Sequence, residues 1–385
     1  MSDSDNSGRI GCIGVSLAGS WPWYIPSGGA AMLRSILMAI SFLALTPCVF
    51  CQTGTALPTP AEGDFMLHDF HFKSGEVLPQ LRMHYYTFGK LTKDAAGTAT
   101  NAVLVLHGTG GSGRQFLRPE FAGALFGPGQ LLDSSRYFVI LPDNIGHGKS
   151  SKPSDGLHAH FPQYDYDDMI KAQHELLEGL GVNHLRLVMG TSMGCMHSWV
   201  WGETYPEFMD ALMPLACLPV QIAGRNRIWR KMVIDGIRQD PEWKNGDYAA
   251  EPRAALQIAA DFLLIAGSAP RVMQKKYGNR DEADQYLEDF EKRETSTLDA
   301  NDLLFAVGAS RNYDPSPNLD KITAPVMFIN SADDFINPPE LGIAERETKK
   351  VKRGRFVLLP ISDQTHGHGT HTDAAVWQQH LKELL

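Results

Sequence analysis

Short apolar runs bounded by turn residues recur along the chain from about Phe65 to its end. Runs of this length are typical of buried strands, and helix-compatible stretches lie between several of them. Two leading strands are expected over roughly Phe65–Phe88. The later strands are expected at Ala102–Leu106, Tyr137–Pro142, Leu185–Met189, Ala211–Cys217, Val326–Asn330 and Arg355–Leu359. Strands that alternate with helices predict an α/β fold, with a mostly parallel central sheet covered by helices on both faces.

The interval from residue 218 to residue 317 carries no strong strand pattern. Ala254–Ala266 has the spacing of apolar residues that is typical of a helix, and Lys275–Arg293 is rich in charges of both signs. We therefore expect a helical cap at 218–317, inserted into a core that is formed by residues 65–217 and 318–385.

The first 51 residues are expected to form a leader. Met32 begins a segment with a basic Arg34, an apolar core at Ile36–Leu45 and a proline-broken end, which is the pattern of a secretory signal peptide. Residues 1–31 are then an upstream extension, and residues 52–64 are a linker. The apolar core is shorter than the roughly 20 residues that a spanning helix needs. We therefore expect cleavage, a secreted or periplasmic protein and no stable membrane span. An uncleaved leader would leave the protein membrane-anchored or cytoplasmic.

Charge and cysteine content exclude two classes of protein. The formal net charge is −9, which argues against a broad basic surface for nucleic acid. Without the leader only Cys195 and Cys217 remain of the five cysteines, and two cysteines do not make a disulfide framework. Two buried thiols are expected, and a bridge between them stays open until the geometry is known.

The strand expected at Leu185–Met189 runs directly into Gly190–Gly194, and a helix-compatible stretch follows. A strand, a G-x-S-x-G turn and a helix in this order are typical of a nucleophile elbow. Glycines flank Ser192 because bulkier side chains there would collide with the neighbouring strand and helix. Such a turn exposes the serine hydroxyl and brings the backbone N–H of Met193 close to a reacting carbonyl oxygen.

A serine of this kind is followed in the chain by an acid and then by a histidine. The strand Val326–Asn330 leads into two adjacent aspartates and a proline-marked turn. Asp334 is the preferred acid because it has the better spacing to Pro338, and Asp333 is the alternative.

The base is expected in the loop after the last strand, where three histidines lie close together. His368 is preferred because its small neighbours, Gly367 and Gly369, leave the imidazole free to reach the serine. The alternatives are His366 and His371. Histidine is also a common metal ligand, but no cysteine or glutamate stands nearby at ligand spacing. We therefore expect neither a metal site nor a cofactor.

A glycine-rich loop, His107–Gly113, directly follows the strand Ala102–Leu106. An HG-type loop in this position donates the second backbone N–H of an oxyanion hole. Thr109 or Gly110 is expected to be that donor, beside Met193. The loop does not read as a phosphate-binding loop because it lacks the lysine that G-x-x-x-x-G-K-[ST] requires.

Further segments extend these motifs over most of the chain. They are Met83–Leu91, Asp167–Gln173, Gly190–Met196, Asp240–Tyr248 and Leu298–Asp302. In these segments the chain resembles the α/β-hydrolase superfamily, and within it the homoserine O-acetyltransferase-like group, from about Phe65 to the C-terminus. The resemblance implies a triad of Ser192, Asp334 and His368. It also implies a homodimer formed through the cap helices.

The chain departs from that group in three places. The acetyltransferases usually carry His-Ala-Leu-Thr-Gly where this chain has His107–Gly111. Asp143–Ser150 resembles the turn of ordinary hydrolases instead of the acetyltransferase loop. The arginine usual in the insertion helix aligns with Ile234, and the nearby arginines in a different register are Arg225, Arg227 and Arg230. The resemblance therefore implies the fold and the triad, and neither acetyl-CoA nor homoserine as substrate.

From these features we expect an exported serine hydrolase that cleaves a small ester or related acyl compound through an acyl-enzyme. The alternative is an acyl-CoA-dependent O-acyltransferase, in which a hydroxyl compound replaces water as the acceptor. The leader argues against this alternative because acyl-CoA is a cytoplasmic metabolite. A non-catalytic binding protein on the same fold is disfavoured because serine, acid and histidine occur in the required order.

Overall fold

The central sheet has eight strands. They are β1 (Ala61–His71), β2 (Val77–Phe88), β3 (Ala102–Leu106), β4 (Phe138–Pro142), β5 (Leu187–Thr191), β6 (Leu212–Leu215), β7 (Val326–Ser331) and β8 (Gly354–Leu359). Their order is β1-β2-β4-β3-β5-β6-β7-β8. β2 pairs antiparallel with β1 and β4, and all other neighbours are parallel. The mostly parallel sheet expected from the sequence is confirmed. The computed structural model describes residues 59–385, so the expected leader and the first part of the expected linker lie outside the described residues.

Ten α-helices accompany the sheet in this part of the chain. They are α1 (Ala122–Leu125), α2 (Tyr166–Gly179), α3 (Met193–Thr204), α4 (Gly224–Gln239), α5 (Arg253–Gly267), α6 (Pro270–Lys276), α7 (Arg280–Thr295), α8 (Ala300–Gly308), α9 (Ile343–Thr348) and α10 (Ala374–Leu384). α2 and α3 cover one face of the sheet, and α1 and α10 cover the other.

The central strand β3 shows why the strands read as continuous apolar runs. Val103 and Val105 pack into one buried cluster, and Leu104 and Leu106 pack into the other. Successive side chains of a strand point to opposite faces of the sheet. Because helices cover both faces, every position of β3 is buried and apolar.

Five helices, α4 to α8, lie between β6 and β7, in the segment where the sequence shows no strand pattern. The helix expected at Ala254–Ala266 corresponds to α5. α4 packs against α5 and α8. The buried Asn301 of α8 accepts a hydrogen bond from Trp243 Nε1 and donates one to the carbonyl oxygen of Gly246, both at 2.9 Å. Between residues 59 and 385 no single helix is long and apolar enough to cross a membrane, although α5 and α6, bent by 106°, meet that test together.

The strand register brings the carboxyl ends of the parallel strands to one edge of the sheet. The pairs at this edge are Leu106 with Gly190, Thr191 with Leu215, Leu215 with Ile329, and Ser331 with Leu359. The loops after β3, β5, β7 and β8 therefore lie side by side, where open α/β sheets bind their ligands. These four loops, together with Met193 at the start of α3, carry every candidate site residue of the sequence analysis.

Candidate active site

Ser192 lies between β5 and α3 in a strained backbone conformation. Its φ is +56° and its ψ is −109°, in a region that residues other than glycine rarely occupy. A Cβ atom on Gly190 would collide with the carbonyl oxygen of Gly194, and a Cβ atom on Gly194 would collide with that of Leu106. The two glycines of the G-x-S-x-G pattern are therefore a packing requirement of this turn.

The serine hydroxyl contacts one of the three loop histidines. Ser192 Oγ lies 2.8 Å from His368 Nε2, and His368 Nδ1 lies 2.9 Å from Asp334 Oδ2. An imidazole that donates its Nδ1–H to a carboxylate has Nε2 free to accept the hydroxyl proton. The structure thus brings together the serine, the histidine and the acid that the sequence analysis prefers.

The Asp334 carboxylate is enclosed, with 0% of its side chain exposed. Its Oδ1 accepts the backbone N–H groups of Ile336 and Asn337, at 2.8 and 3.1 Å, and its Oδ2 accepts Asn337 Nδ2 at 3.0 Å. Burial alone would raise the pKa of Asp334, but the neighbouring His368 and these hydrogen bonds outweigh burial and lower the pKa. The carboxylate is therefore ionised at neutral pH and can stabilise a protonated imidazole.

The alternative acid and bases occupy neighbouring positions. Asp333 Oδ2 accepts the backbone N–H of Gly367 at 3.0 Å, so Asp333 ties the acid loop to the histidine loop. The backbone N–H of His366 donates to a threonine hydroxyl of the same loop. His371 packs edge-on against His368 with ring centroids 5.1 Å apart. The pKa of His371 is lowered to about 3, mainly by burial and to a smaller extent by the neighbouring His368. His371 is therefore neutral. In residues 59–385 no group of three or more histidine, cysteine, aspartate or glutamate residues could hold a metal ion.

The loop after β3 packs directly against the serine. A Cβ atom on Gly108 would lie 3.3 Å from Ser192 Cβ and 3.9 Å from Ser192 Oγ, so any side chain there would crowd the hydroxyl. Met193 is the first residue of α3, and N–H groups in the first turn of a helix have no acceptor within the helix. The N–H candidates Met193, Thr109 and Gly110 thus belong to the two segments that border Ser192.

Two buried histidines orient this loop. His107 Nε2 accepts the backbone N–H and the Nδ2 of Asn144, at 3.1 and 3.0 Å, so His107 Nδ1 donates to the carbonyl oxygen of Gly108 at 2.8 Å. Burial, with nearby His147, holds the pKa of His107 well below its usual value, as a neutral imidazole requires. His147 Nε2 lies 2.9 Å from the carbonyl oxygen of Thr109. In a trans peptide the N–H points opposite to the C=O. The N–H groups that follow these two carbonyl groups, those of Thr109 and Gly110, therefore point away from the histidines.

A cavity of about 540 Å³ opens at Ser192 and His368. Its volume is in the range of small-molecule sites. The wall is largely apolar, and its apolar members include Met196, Leu218, Ile222, Ile336, Leu341 and Ile343. This cavity can accept an acyl compound whose carbonyl group reaches the serine hydroxyl.

One buried cation lines the same cavity. Arg230 of α4 is 3% exposed. Its Nε donates to Asn226 Oδ1 at 2.9 Å, and its Nη1 donates to Ser310 Oγ at 3.3 Å. Burial lowers the pKa of the guanidinium, and among the described residues no carboxylate forms an ion pair with it. The arginine usual in the insertion helix of the family aligns with Ile234 and not with Arg230, so the sequence did not predict that Arg230 lines the cavity.

Cys195 and Cys217 form a disulfide bond. Cys195 lies in the first turn of α3, and Cys217 follows β6 and lines the cavity. The sequence favoured two free buried thiols, and that expectation is wrong. β5 and β6 are neighbours in the sheet, so the two Cα atoms come within 5.8 Å of each other, a bridging distance.

Comparison with known proteins agrees with the fold. The family model described as the alpha/beta hydrolase fold matches residues 101–360, so the chain belongs to the α/β-hydrolase family. The homoserine O-acetyltransferase of Pelobacter propionicus is 31% identical over 334 residues, which cover 77% of this chain and 87% of that protein. Within the family, the chain belongs to the homoserine O-acetyltransferase-like group.

Two solved structures are similar in fold. The homoserine O-acetyltransferase from Bacillus anthracis has a TM-score of 0.74 and 21% identity, and the match covers 84% of this chain and 97% of that one. The acetyl esterase MekB has a TM-score of 0.73 and 25% identity, over 84% of this chain and 96% of that one. The protein is therefore an enzyme of the esterase-like or O-acyltransferase type.

Proposed function

We propose that the protein is an exported serine hydrolase that cleaves a small ester or a related acyl compound through an acyl-enzyme. The observation that carries this proposal is the series of hydrogen bonds from Asp334 through His368 to the Ser192 hydroxyl, at the opening of a largely apolar cavity. Ser192 is the nucleophile, His368 is the general base, and Asp334 orients the imidazole.

The reaction has two halves. His368 Nε2 takes the hydroxyl proton as Ser192 Oγ attacks the carbonyl carbon, and the buried carboxylate stabilises the imidazolium. The N–H of Met193, with that of Thr109 or Gly110, binds the oxyanion. The alcohol then leaves with the proton from the imidazole, and the acyl group stays on the serine. Water gives a proton to the imidazole as it attacks this ester. The imidazolium then returns the proton to Ser192 Oγ, and the acid is released.

Export is proposed from two features of the chain. The segment around Ile36–Leu45 has the pattern of a signal peptide. The Cys195–Cys217 bridge is of a kind that persists in oxidising compartments and is rare in the cytosol. Outside the cytoplasm acyl-CoA is not supplied, so water is the acceptor that remains.

The alternative function is an acyl-CoA-dependent O-acyltransferase. Two observations favour it, namely the homoserine O-acetyltransferase relatives and the buried Arg230 in the cavity. A buried guanidinium with no ion-pair partner suits a carboxylate on the substrate, because guanidinium and carboxylate groups form paired hydrogen bonds. In this alternative a hydroxyl compound that carries a carboxylate displaces water as the acceptor.

A homodimer that packs through the cap is part of the proposal. Ile228 and Met232 of α4 are 55% and 47% exposed, and Ile258 and Ile265 of α5 are 50% and 61% exposed. Exposed apolar groups on neighbouring helices are typical of interaction surfaces, and the resemblance to the homoserine O-acetyltransferase group implies a dimer formed through cap helices. Sedimentation equilibrium tests the dimer, and Ile265→Asp is expected to yield monomers.

One pair of assays separates the two functions. Hydrolysis of p-nitrophenyl acetate is measured alongside thiol release from acetyl-CoA, with and without L-homoserine. Ser192→Ala is the control in both assays. Ester cleavage that requires Ser192, without homoserine-dependent thiol release, supports the hydrolase. Thiol release that requires both homoserine and Ser192 supports the acyltransferase. Ester cleavage that survives in Ser192→Ala contradicts both.

A further inference from the structure

A second groove lies between cap and core, and it shares no lining residue with the cavity at Ser192. Its volume is about 570 Å³, which is in the range of small-molecule sites. It is lined by α4, α8, the start of α2 and the turn between β1 and β2. Its basic residues are Lys73, Arg227, Lys231, Arg238 and Arg311. The groove is therefore locally basic, although the chain as a whole has a net charge of −9.

The helix α4 supplies most of this charge from one face. Arg227, Lys231, Ile234 and Arg238 follow one another at intervals of four, three and four residues, so their side chains lie along one side of the helix. Arg230 lies on the adjoining face and enters the cavity at Ser192. The same helix thus presents cations to two separate sites.

Three arginines of the groove, Arg227, Arg238 and Arg311, form no ion pair with any residue between 59 and 385. The lysines of the groove are paired, Lys73 with Asp165 and Asp167, and Lys231 with Asp235. The unbalanced positive charge of the groove therefore belongs to the arginines.

Arg227 and Arg311 both line the groove. The pKa of the Arg227 guanidinium is lowered, mainly by burial and to a smaller extent by the charge of Arg311. Arg227 Nη1 is buried and has no hydrogen-bond partner within the described residues. A buried N–H group without an acceptor is destabilising, and like charges that line one groove repel each other. An anion bound in the groove would offset this repulsion.

The two carboxylates of the groove do not supply that anion. Asp165 Oδ1 accepts the backbone N–H groups of Asp167 and Asp168, and Asp168 Oδ2 accepts the backbone N–H of Asp165. Asp165 Oδ2 accepts Asn312 Nδ2 at 3.3 Å. Both carboxylates are therefore engaged in the cap of α2.

We propose that this groove binds the phosphate group of a small molecule between Arg227 and Arg311. A phosphate ester carries a charge of about −1.5 to −2 and three acceptor oxygens, so one group balances both arginines, whereas a carboxylate balances one. Guanidinium groups also bind phosphate oxygens in pairs of parallel hydrogen bonds. The groove is larger than one phosphate group, so it has room for a phosphorylated molecule as well as for free phosphate or diphosphate.

Isothermal titration calorimetry on the full chain tests this site with two probes, inorganic pyrophosphate and adenosine 3′,5′-bisphosphate. Arg227→Gln and Arg311→Gln are each expected to weaken binding about tenfold or more, because each removes charged hydrogen bonds. Arg253→Gln, at an exposed position of α5 outside the groove, is the matched control and is expected to bind as the wild type does. Melting temperatures without ligand establish that each variant is folded.

The two probes also separate the sources of the phosphate. Tighter binding of the nucleotide identifies a phosphorylated molecule as the ligand, and tighter binding of pyrophosphate identifies free diphosphate. Either result supports the site if the binding is lost in both arginine variants. Absence of binding by both probes, equal affinity in the folded arginine variants, or tighter binding of succinate than of pyrophosphate would overturn it. The proposal does not depend on the acyl chemistry, so Ser192→Ala is expected to keep full affinity.

Discussion

Reduction of the Cys195–Cys217 disulfide is expected to lower the free energy of unfolding by about 3 kcal/mol. The two cysteines are 22 positions apart in the sequence. The bridge removes conformational freedom from the unfolded chain, and a loop of this length corresponds to about 3 kcal/mol at 25 °C in the loop-closure treatment. The loop contains most of α3 and all of β6, so the constraint acts on the segment that follows Ser192.

Urea unfolding with and without dithiothreitol measures this difference. Trp199 and Trp201 of α3 are fully buried, so tryptophan fluorescence reports on the unfolding of this helix. The wild type is compared with a Cys195→Ala/Cys217→Ala double variant. Reductant is expected to lower the midpoint of the wild type and to leave that of the double variant unchanged. Comparing each protein with itself removes the effect of the smaller alanine side chains on core packing.

Two results would refute this reasoning. Equal midpoints for the oxidised and the reduced wild type would show that the bridge does not constrain the unfolded chain, or is not formed. In the full-length chain, a fall of equal size in the double variant would assign the effect to the cysteines of the expected leader, which are Cys12, Cys48 and Cys51.

Three further predictions concern the site and its surroundings. Asp334→Asn is expected to lower kcat for ester hydrolysis by about 10⁴-fold, because the neutral amide no longer stabilises the imidazolium; a similar loss in Asp333→Asn would contradict the choice of acid. Arg230→Gln is expected to lower kcat/KM about tenfold or more for an ester that carries a carboxylate, and to leave that for p-nitrophenyl acetate unchanged. Burial raises the pKa of Glu203 from 4.5 to about 7, so the folded protein holds this proton where the unfolded chain has released it, and stability falls as the pH rises through this window. Glu203→Gln is therefore expected to melt at the wild-type temperature at pH 4 and above it at pH 8, and equal melting at pH 8 would count against the shift.

The strands β3 to β7 could be predicted closely because both of their faces are buried, which gives each of them a largely apolar run. Their ends were less predictable. β5 continues through Gly190 and Thr191, which read as part of the turn because glycine usually interrupts a strand. β6 stops before Ala216, whose φ of +66° ends the extended conformation, and nothing in an alanine predicts that angle. Local pattern thus determined which segments form strands, and tertiary contacts determined where the strands end.

The candidate site divides in the same way. Ser192, Asp334 and His368 each follow a recognisable strand, and the topology of a parallel sheet brings the ends of those strands together. Arg230 follows no strand and belongs to no motif, so only the packing of α4 against the rest of the protein reveals that it enters the cavity. The disulfide likewise depends on how close the start of α3 lies to the segment after β6, which no spacing of cysteines along the chain encodes.

The position of Arg230 bears on both proposed functions. A hydrolase and an acyltransferase share the acyl-enzyme and differ in which molecule attacks it. The alcohol that leaves in the first half-reaction and the hydroxyl compound that accepts in the second occupy the same place beside His368 Nε2, because each step is the reverse of the other. Arg230 lines the cavity that contains this place, as a buried cation held by Asn226 and Ser310, so it suits a carboxylate on a molecule bound in the cavity. We therefore propose that a substrate bound in this cavity carries a carboxylate, whichever of the two functions the enzyme has.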